Sequence, residues 1–124
     1  MAEPSIRALA YLGDAVFEIL VREKITLGPD RTVKRMNESA KKWVAASAQA
    51  AMCAKISPLL SGEEADVLRR GRNVSAQSRP KKTPVTQYRE ATGLEALFGW
   101  LHARGETARA RFLFNICVTE NEES

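Results

Sequence analysis

A long stretch near the start of the chain restricts the possible folds more than any other. From Ser5 to about Leu27 only Gly13 interrupts residues that favour a helix, and apolar side chains cover most of the helix circumference. A helix that is apolar almost all round is typically central and buried. The Gly28-Pro29-Asp30 sequence ends it. We therefore expect a domain that is organised around this first helix.

The rest of the chain predicts four further helices and no strands. No segment shows the alternation of a half-buried strand, so the sequence predicts an all-α fold with about five main helices in one domain over residues 1–124. The predicted segments are a helix from Thr32 or Asn37 to about Ile56, one from Ser61 to near Gly71, a loop from Asn73 to Thr86, helices from about Gln87 to Ala103 and from Glu106 to about Val118, and a frayed acidic tail over residues 119–124.

Composition limits the classes of function. The formal charge of +4 and pI of about 9.3 are compatible with a polyanionic partner. Cys53, Cys117 and His102 have no metal-ligand spacing, which indicates reduced core thiols rather than a zinc site. Neither a signal peptide nor a membrane-length apolar run is apparent. We expect a cytoplasmic protein with no membrane partner.

The first helix carries carboxylates that need an explanation. Asp14 and Glu18 lie one helical turn apart and share a face, where Arg7 and Arg22 offer ordinary salt bridges. For Glu18 that plain interpretation and a functional one both stay open. Asp14 is different because it follows Gly13, and a glycine inside a helix costs about 1 kcal/mol relative to alanine. Such a glycine is expected where another element approaches closely.

Glu95 has similar surroundings on the fourth predicted helix. Ala91, Thr92 and Gly99 share its side of the helix and are small, so a neighbouring helix can come close. If that neighbour is the first helix, Glu95 and Asp14 converge and need a cation between them or a shared proton. Carboxylate ligands suit Mg²⁺, with Mn²⁺ as the alternative, and a metal held in this way activates water against a phosphodiester. A chance pair of helix acids is the alternative.

A basic segment precedes the Glu95 helix. No acid lies between the first and last of its charged residues, which are Arg69, Arg70, Arg72, Arg79, Lys81, Lys82 and Arg89. A solvated loop is the plain interpretation. The functional interpretation is contact with nucleic-acid phosphates. Because Tyr88 is the one aromatic residue nearby, a clamp on a duplex backbone is favoured over single-strand stacking.

These motifs together resemble a known family. The Leu12-Gly13-Asp14-Ala15-Val16 sequence resembles the signature helix of the ribonuclease III catalytic domain, and Leu94-Glu95-Ala96-Leu97-Phe98-Gly99 resembles its second acidic helix. Nearly the whole chain is similar to the short Mini-III branch, which lacks a double-stranded-RNA-binding domain. The Arg69-Arg70-Gly71-Arg72-Asn73 and Tyr88–Leu97 segments add to this resemblance.

The resemblance implies an all-helical homodimer that cuts double-stranded RNA with Mg²⁺. Each subunit then hydrolyses one strand and leaves 5′-phosphate and 3′-hydroxyl ends, and the branch matures the ends of the 23S ribosomal RNA precursor. Asp14 and Glu95 match the family's metal-binding catalytic acids. The basic segment, with Asn73, matches a region that contacts RNA. We expect a ribosomal protein on the precursor to assist binding.

The chain also departs from the family pattern. Arg7, Ala10 and Thr92 occupy positions where the wider family has acids, which predicts a reduced metal cage, with Glu18 as a possible additional ligand. Two other classes of function therefore stay open. One is a catalytically feeble duplex-RNA-binding or ribosome-assembly protein with the same fold. The other is a helical protein-interaction domain that is indifferent to RNA.

Overall fold

The computed structural model describes residues 3–74 and 84–119, and this part of the chain contains six α-helices and no strand. The all-α prediction is confirmed. The helices are α1 (Ile6–Thr26), α2 (Val33–Val44), α3 (Ala46–Ile56), α4 (Gly62–Arg72), α5 (Val85–Ala103) and α6 (Thr107–Val118), with a 3₁₀ turn over Ser57–Leu59 after α3.

The single helix predicted between residue 32 and Ile56 is in fact two helices. Ala45 adopts an extended conformation (φ −64°, ψ 146°) and separates α2 from α3. No side chain caps the start of α3, and neither glycine nor proline stands at the break, so the local sequence carries no signal for it. The break allows α2 to pack on α1 while α3 packs on α5 and α6.

The most enclosed helix is α5, and α1 lies across it. Nine of the 19 residues of α5 are buried, against six of the 21 residues of α1. Phe17 of α1 makes edge-to-face contacts with Phe98 of α5 and Phe114 of α6, with ring centroids 5.7 and 5.5 Å apart. One side of α1 faces solvent, where Tyr11 is 85% exposed and Ile19 is 57% exposed. The first helix is therefore half covered, and α5 forms the centre of the fold.

The backbones of α1 and α5 touch where they cross. A Cβ atom built on Gly13 would lie 1.6 Å from the carbonyl oxygen of Glu95, and one built on Gly99 would lie 2.0 Å from the carbonyl oxygen of Leu9. No side chain larger than hydrogen fits between the two helices at this point. The close approach predicted from Gly13 is confirmed.

A buried ion pair joins α4 to α6. Ser61 and Glu64 form the capping box that begins α4, as their spacing indicates. The guanidinium of Arg109 donates two hydrogen bonds to the Glu64 carboxylate, at 2.7 and 2.8 Å, and these bonds hold the pKa of Glu64 below its usual range. Because Glu64 is 5% exposed, Arg109 is what makes its burial tolerable.

Parts of two predicted segments lie outside the described residues. They are residues 75–83 of the predicted loop and residues 120–124 of the predicted tail. Among the residues that the structure describes, no helix is both long and apolar enough to cross a membrane.

Candidate active site

The carboxyl groups of Asp14 and Glu95 come together at the crossing of α1 and α5. Asp14 directly follows Gly13, and the backbone of Glu95 is the part of α5 that Gly13 contacts. The two side chains are close enough for the charge of Asp14 to raise the pKa of Glu95. The glycine contact is therefore what places two acids from distant parts of the sequence side by side.

The environment of Glu95 disfavours its charged form. Asp14 is exposed, whereas Glu95 is half-buried between the helices. Burial raises the pKa of Glu95 to about 8, and the charge of Asp14 acts in the same direction. Near neutral pH the pair therefore holds a proton when no other cation is present. A bound cation would take over the role of that proton.

Gln49 is a residue of this site that the sequence reasoning missed. It lies on α3 and is 3% exposed, and its presence lowers the pKa of Glu95, against the larger effect of burial. Its neighbours Ala48 and Ala50 made α3 look like a simple packing helix. The available signal was a long polar side chain within that alanine-rich stretch, but a solvated glutamine has the same sequence pattern.

The donor set at this crossing fits a hard divalent ion. Two carboxylates supply oxygen ligands, and Mg²⁺ is typically bound by one or two carboxylates while it keeps several waters. Over residues 3–74 and 84–119 there is no group of three or more Asp, Glu, His or Cys side chains arranged to hold a metal. The Thr92 hydroxyl donates to the carbonyl of Tyr88 on its own helix, at 2.9 Å. The pair of Asp14 and Glu95 is thus the acidic set at the site.

Glu18 forms an ordinary salt bridge on the surface of α1. Its carboxylate pairs with Arg22 one turn further along α1, with an N–O distance of 3.3 Å, and both side chains are exposed. Glu18 does not contribute to the raised pKa of Glu95. A contribution of Glu18 to metal binding stays a prediction.

The predicted RNA-binding residues are only partly described. Arg69 and Arg70 both pair with Asp66 on α4, at 2.5 and 3.9 Å, and Arg72 pairs with Glu90 on α5, at 3.2 Å. The two Asp66 pairs are exposed and the Arg72–Glu90 pair is half-exposed. Such pairs contribute little to stability, so RNA phosphates can compete for the guanidinium groups. Asn73, which ends α4, and Arg89 on α5 are exposed, while Arg79, Lys81 and Lys82 lie outside the described residues.

Comparisons with known proteins agree with this architecture. A family model described as "Ribonuclease III domain" matches residues 7–106. The Mini-ribonuclease 3 of Thermoanaerobacter sp. (strain X514) is 41% identical over 115 residues, which cover 93% of this chain and 81% of that protein. The Mini-ribonuclease 3 of Gloeobacter violaceus is 47% identical over 97 residues, which cover 78% of this chain and 70% of that protein.

A solved structure supports the same fold. The X-ray crystal structure of a Fusobacterium nucleatum protein superposes with a TM-score of 0.84 at 28% identity, covering 94% of this chain and 93% of the other. An all-helical domain with the ribonuclease III match defines a class of endoribonucleases. Within that class, the chain belongs to the Mini-ribonuclease 3 family.

Proposed function

We propose that this endoribonuclease cleaves double-stranded RNA with Mg²⁺, using Asp14 and Glu95 as the catalytic, metal-binding acids. Mn²⁺ is the alternative ion. The observation that carries the proposal is the convergence of these two carboxyl groups at the contact between α1 and α5. Two acids forced together in a half-buried place form a site that a divalent cation stabilises.

The chain's own residues prepare this site for phosphodiester hydrolysis. The chemistry that a bound Mg²⁺ supplies is activation of water and neutralisation of charge on the phosphoryl group. Asp14 and Glu95 would hold the ion, for which Glu95 must give up the proton that it retains near neutral pH. Gln49, which lowers the pKa of Glu95, favours that ionised state. The exposed face of α1 beside Asp14 leaves the site open to a large substrate.

The basic residues around α4 and the start of α5 would hold the RNA backbone. Their guanidinium and ammonium groups suit phosphate contacts, which give affinity without sequence information. The proposed set contains Arg69, Arg70, Arg72, Asn73, Arg79, Lys81, Lys82 and Arg89. Such a surface predicts that RNA affinity falls steeply as salt concentration rises.

We further propose a homodimer in which each subunit cuts one strand of the duplex, leaving 5′-phosphate and 3′-hydroxyl ends. The support for a second copy as the partner is the match to the ribonuclease III domain, a resemblance that implies a homodimer. The proposed substrate is the 23S ribosomal RNA precursor in the cytoplasm, with a ribosomal protein on the precursor assisting. The names of the relatives, Mini-ribonuclease 3, support the enzyme class of this proposal.

A second candidate function is favoured by the small acidic set. Only two carboxylates meet at the crossing within the described residues, since Ala10 and Thr92 supply none. A domain of this kind could bind duplex RNA for ribosome assembly while it cleaves poorly. This candidate predicts binding with little hydrolysis.

One experiment separates these functions. Long duplex RNA is incubated with Mg²⁺ and the native protein, Asp14→Asn or Glu95→Gln, and both cleavage and gel shift are followed at several salt concentrations. The nuclease proposal expects cleavage by the native protein, its loss in both variants, and retained RNA binding. A shift without cleavage by the native protein favours the assembly protein, and no salt-dependent shift favours a domain indifferent to RNA.

A matched control is available for the loss of a carboxylate. Asp30 is exposed in the segment between α1 and α2, away from the crossing, so Asp30→Asn removes the same charge and should cleave as the native protein does. Equal activity of Asp14→Asn and Asp30→Asn would contradict the assignment of Asp14.

A further inference from the structure

A second contact between helix backbones fixes the basic end of α4 against α5. A Cβ atom built on Gly71 would lie 2.8 Å from the Cα atom of Gly93, and one built on Gly93 would lie 2.8 Å from the carbonyl oxygen of Leu68. The two helices therefore touch at a pair of residues that have no side chains. Because Gly71 stands between Arg70 and Arg72, this contact also fixes the backbone from which these two side chains extend.

The side chain of Arg72 crosses from α4 to α5 and is held at two points. Its aliphatic part lies over Gly93, where an added Cβ atom would be 2.9 Å from the Cγ atom and 3.4 Å from the Cδ atom of Arg72. Its Nε atom is 3.2 Å from a carboxylate oxygen of Glu90, one helical turn before Gly93. The backbone carbonyl of Glu90 accepts a hydrogen bond from the Cys53 thiol of α3, at 3.1 Å. The guanidinium is therefore held on α5, the helix that carries Glu95.

The other two arginines of this end of α4 are held differently. Arg69 and Arg70 both pair with Asp66 on their own helix, and their side chains are more exposed than that of Arg72. A pair within one helix does not orient a guanidinium relative to a second helix. Arg72 is thus the arginine of α4 whose ion pair ties it to the helix of the candidate active site.

We propose that Glu90 is a positioning residue that holds the Arg72 guanidinium for contact with an RNA phosphate. This inference rests on the proposed function, in which Arg72 contacts the RNA backbone. A guanidinium has several N–H donors in a fork, so it can bind a carboxylate at Nε and a phosphate at its terminal amino groups together. A side chain that is held in place before RNA arrives has little ordering cost left to meet on binding. Glu90 therefore favours RNA binding through Arg72, although its own charge repels phosphate.

The sign of the effect of one substitution tests this proposal. By charge alone, removing a carboxylate beside a phosphate-binding surface should strengthen RNA binding. We expect Glu90→Ala instead to weaken the binding of a short duplex RNA about 2- to 10-fold, which corresponds to the cost of ordering one released side chain. Binding is measured by fluorescence anisotropy in chelator, which removes the divalent ion needed for cleavage. Asp66→Ala is the matched control, because it also removes one carboxylate paired with arginine, and it should bind RNA at least as tightly as the native protein.

A double-substitution cycle shows whether Glu90 acts through Arg72. Arg72→Met keeps the aliphatic part of the side chain and removes the guanidinium. It should weaken RNA binding and reduce the slope of log affinity against log salt concentration by about one, as expected for one lost phosphate contact. In the Arg72→Met background, Glu90→Ala should cause no further weakening. Glu90→Gln keeps an oxygen that accepts from Nε, so it should recover part of the affinity that Glu90→Ala loses.

Several results would overturn the proposal. Tighter RNA binding by Glu90→Ala would make Glu90 a competitor of phosphate, and a lower melting temperature with native RNA affinity would make its role merely structural. Equal weakening with and without the Arg72 guanidinium would mean that Glu90 does not act through Arg72, and a loss in Glu90→Gln as large as in Glu90→Ala would exclude the bond to Nε as the cause. If Arg72→Met binds RNA with native affinity and native salt slope, the proposed function of Arg72 fails instead.

Discussion

Replacing Gly13 with alanine tests the packing argument on which the candidate site depends. Two effects oppose each other. Alanine is the better helix former and gains about 1 kcal/mol over glycine within a helix. Against this, the new Cβ would lie 1.6 Å from the carbonyl oxygen of Glu95 and 2.8 Å from the amide nitrogen of Gly99. Both of these atoms belong to the backbone, so no flexible side chain can move aside.

The clash should outweigh the gain in helix propensity. To restore an ordinary contact distance, α1 and α5 must separate by about 1.5 Å, and this is the crossing at the centre of the fold. Overpacking of a well-packed core usually costs about 1–3 kcal/mol, and a backbone clash lies at or beyond the upper end of that range. We expect Gly13→Ala to lower the free energy of unfolding by about 3 kcal/mol or more.

Urea unfolding followed by circular dichroism measures this change. Gly62→Ala is the matched control, because a Cβ there meets no heavy atom within 4 Å, and it should be neutral or slightly stabilising. A stability of Gly13→Ala equal to that of Gly62→Ala would refute the reasoning, because it would mean that the two backbones are not in contact.

Two further predictions concern charged groups. Glu95→Gln should abolish a pH dependence of stability in metal-free protein. Because burial raises the folded-state pKa of Glu95 to about 8, the stability that protonated Glu95 contributes is fully present below about pH 4.5 and is lost as pH rises through 8. In chelator, the free energy of unfolding of the variant should rise relative to that of the native protein by up to about 5 kcal/mol between about pH 4.5 and pH 9. Parallel pH curves in urea unfolding would contradict this. Arg109→Met should lower the free energy of unfolding by about 2 kcal/mol, less than for a fully buried pair because Arg109 is 31% exposed. Arg111→Met, which breaks the exposed pair with Glu23, should change it little in the same assay, and equal losses would contradict the burial argument.

The sequence predicted those parts of the fold that have local signals. The extent of α1 was predicted to within a residue at each end, because Ser5 caps its start and a glycine-proline sequence follows it. The start of α4 followed from its capping box. The break at Ala45 has no such signal, since it arises from the different packing partners of α2 and α3 rather than from its own residues.

The candidate site was predictable to the extent that its residues are chemically unusual. A glycine beside an acid in an apolar helix indicated both the contact and Asp14, and small neighbours indicated Glu95. Gln49 could not be found in this way, because burial alone distinguishes it from a solvated glutamine. The pairing of Arg69 and Arg70 with Asp66 follows from their three- and four-residue spacing on one helix, whereas the basic segment as defined begins three residues after that acid.

The glycine crossing of α1 and α5 also has a consequence for how such a chain can diverge. Side-chain packing can adjust when a core residue changes size. Two backbones that already touch cannot move closer together, so the distance between them does not adjust in this way. The spacing of Asp14 and Glu95 is therefore insulated from drift at core positions such as Phe17 and Phe98, whose substitution alters stability first. Many core residues can therefore be substituted while the Gly13 and Gly99 contact keeps the distance between the two acids constant.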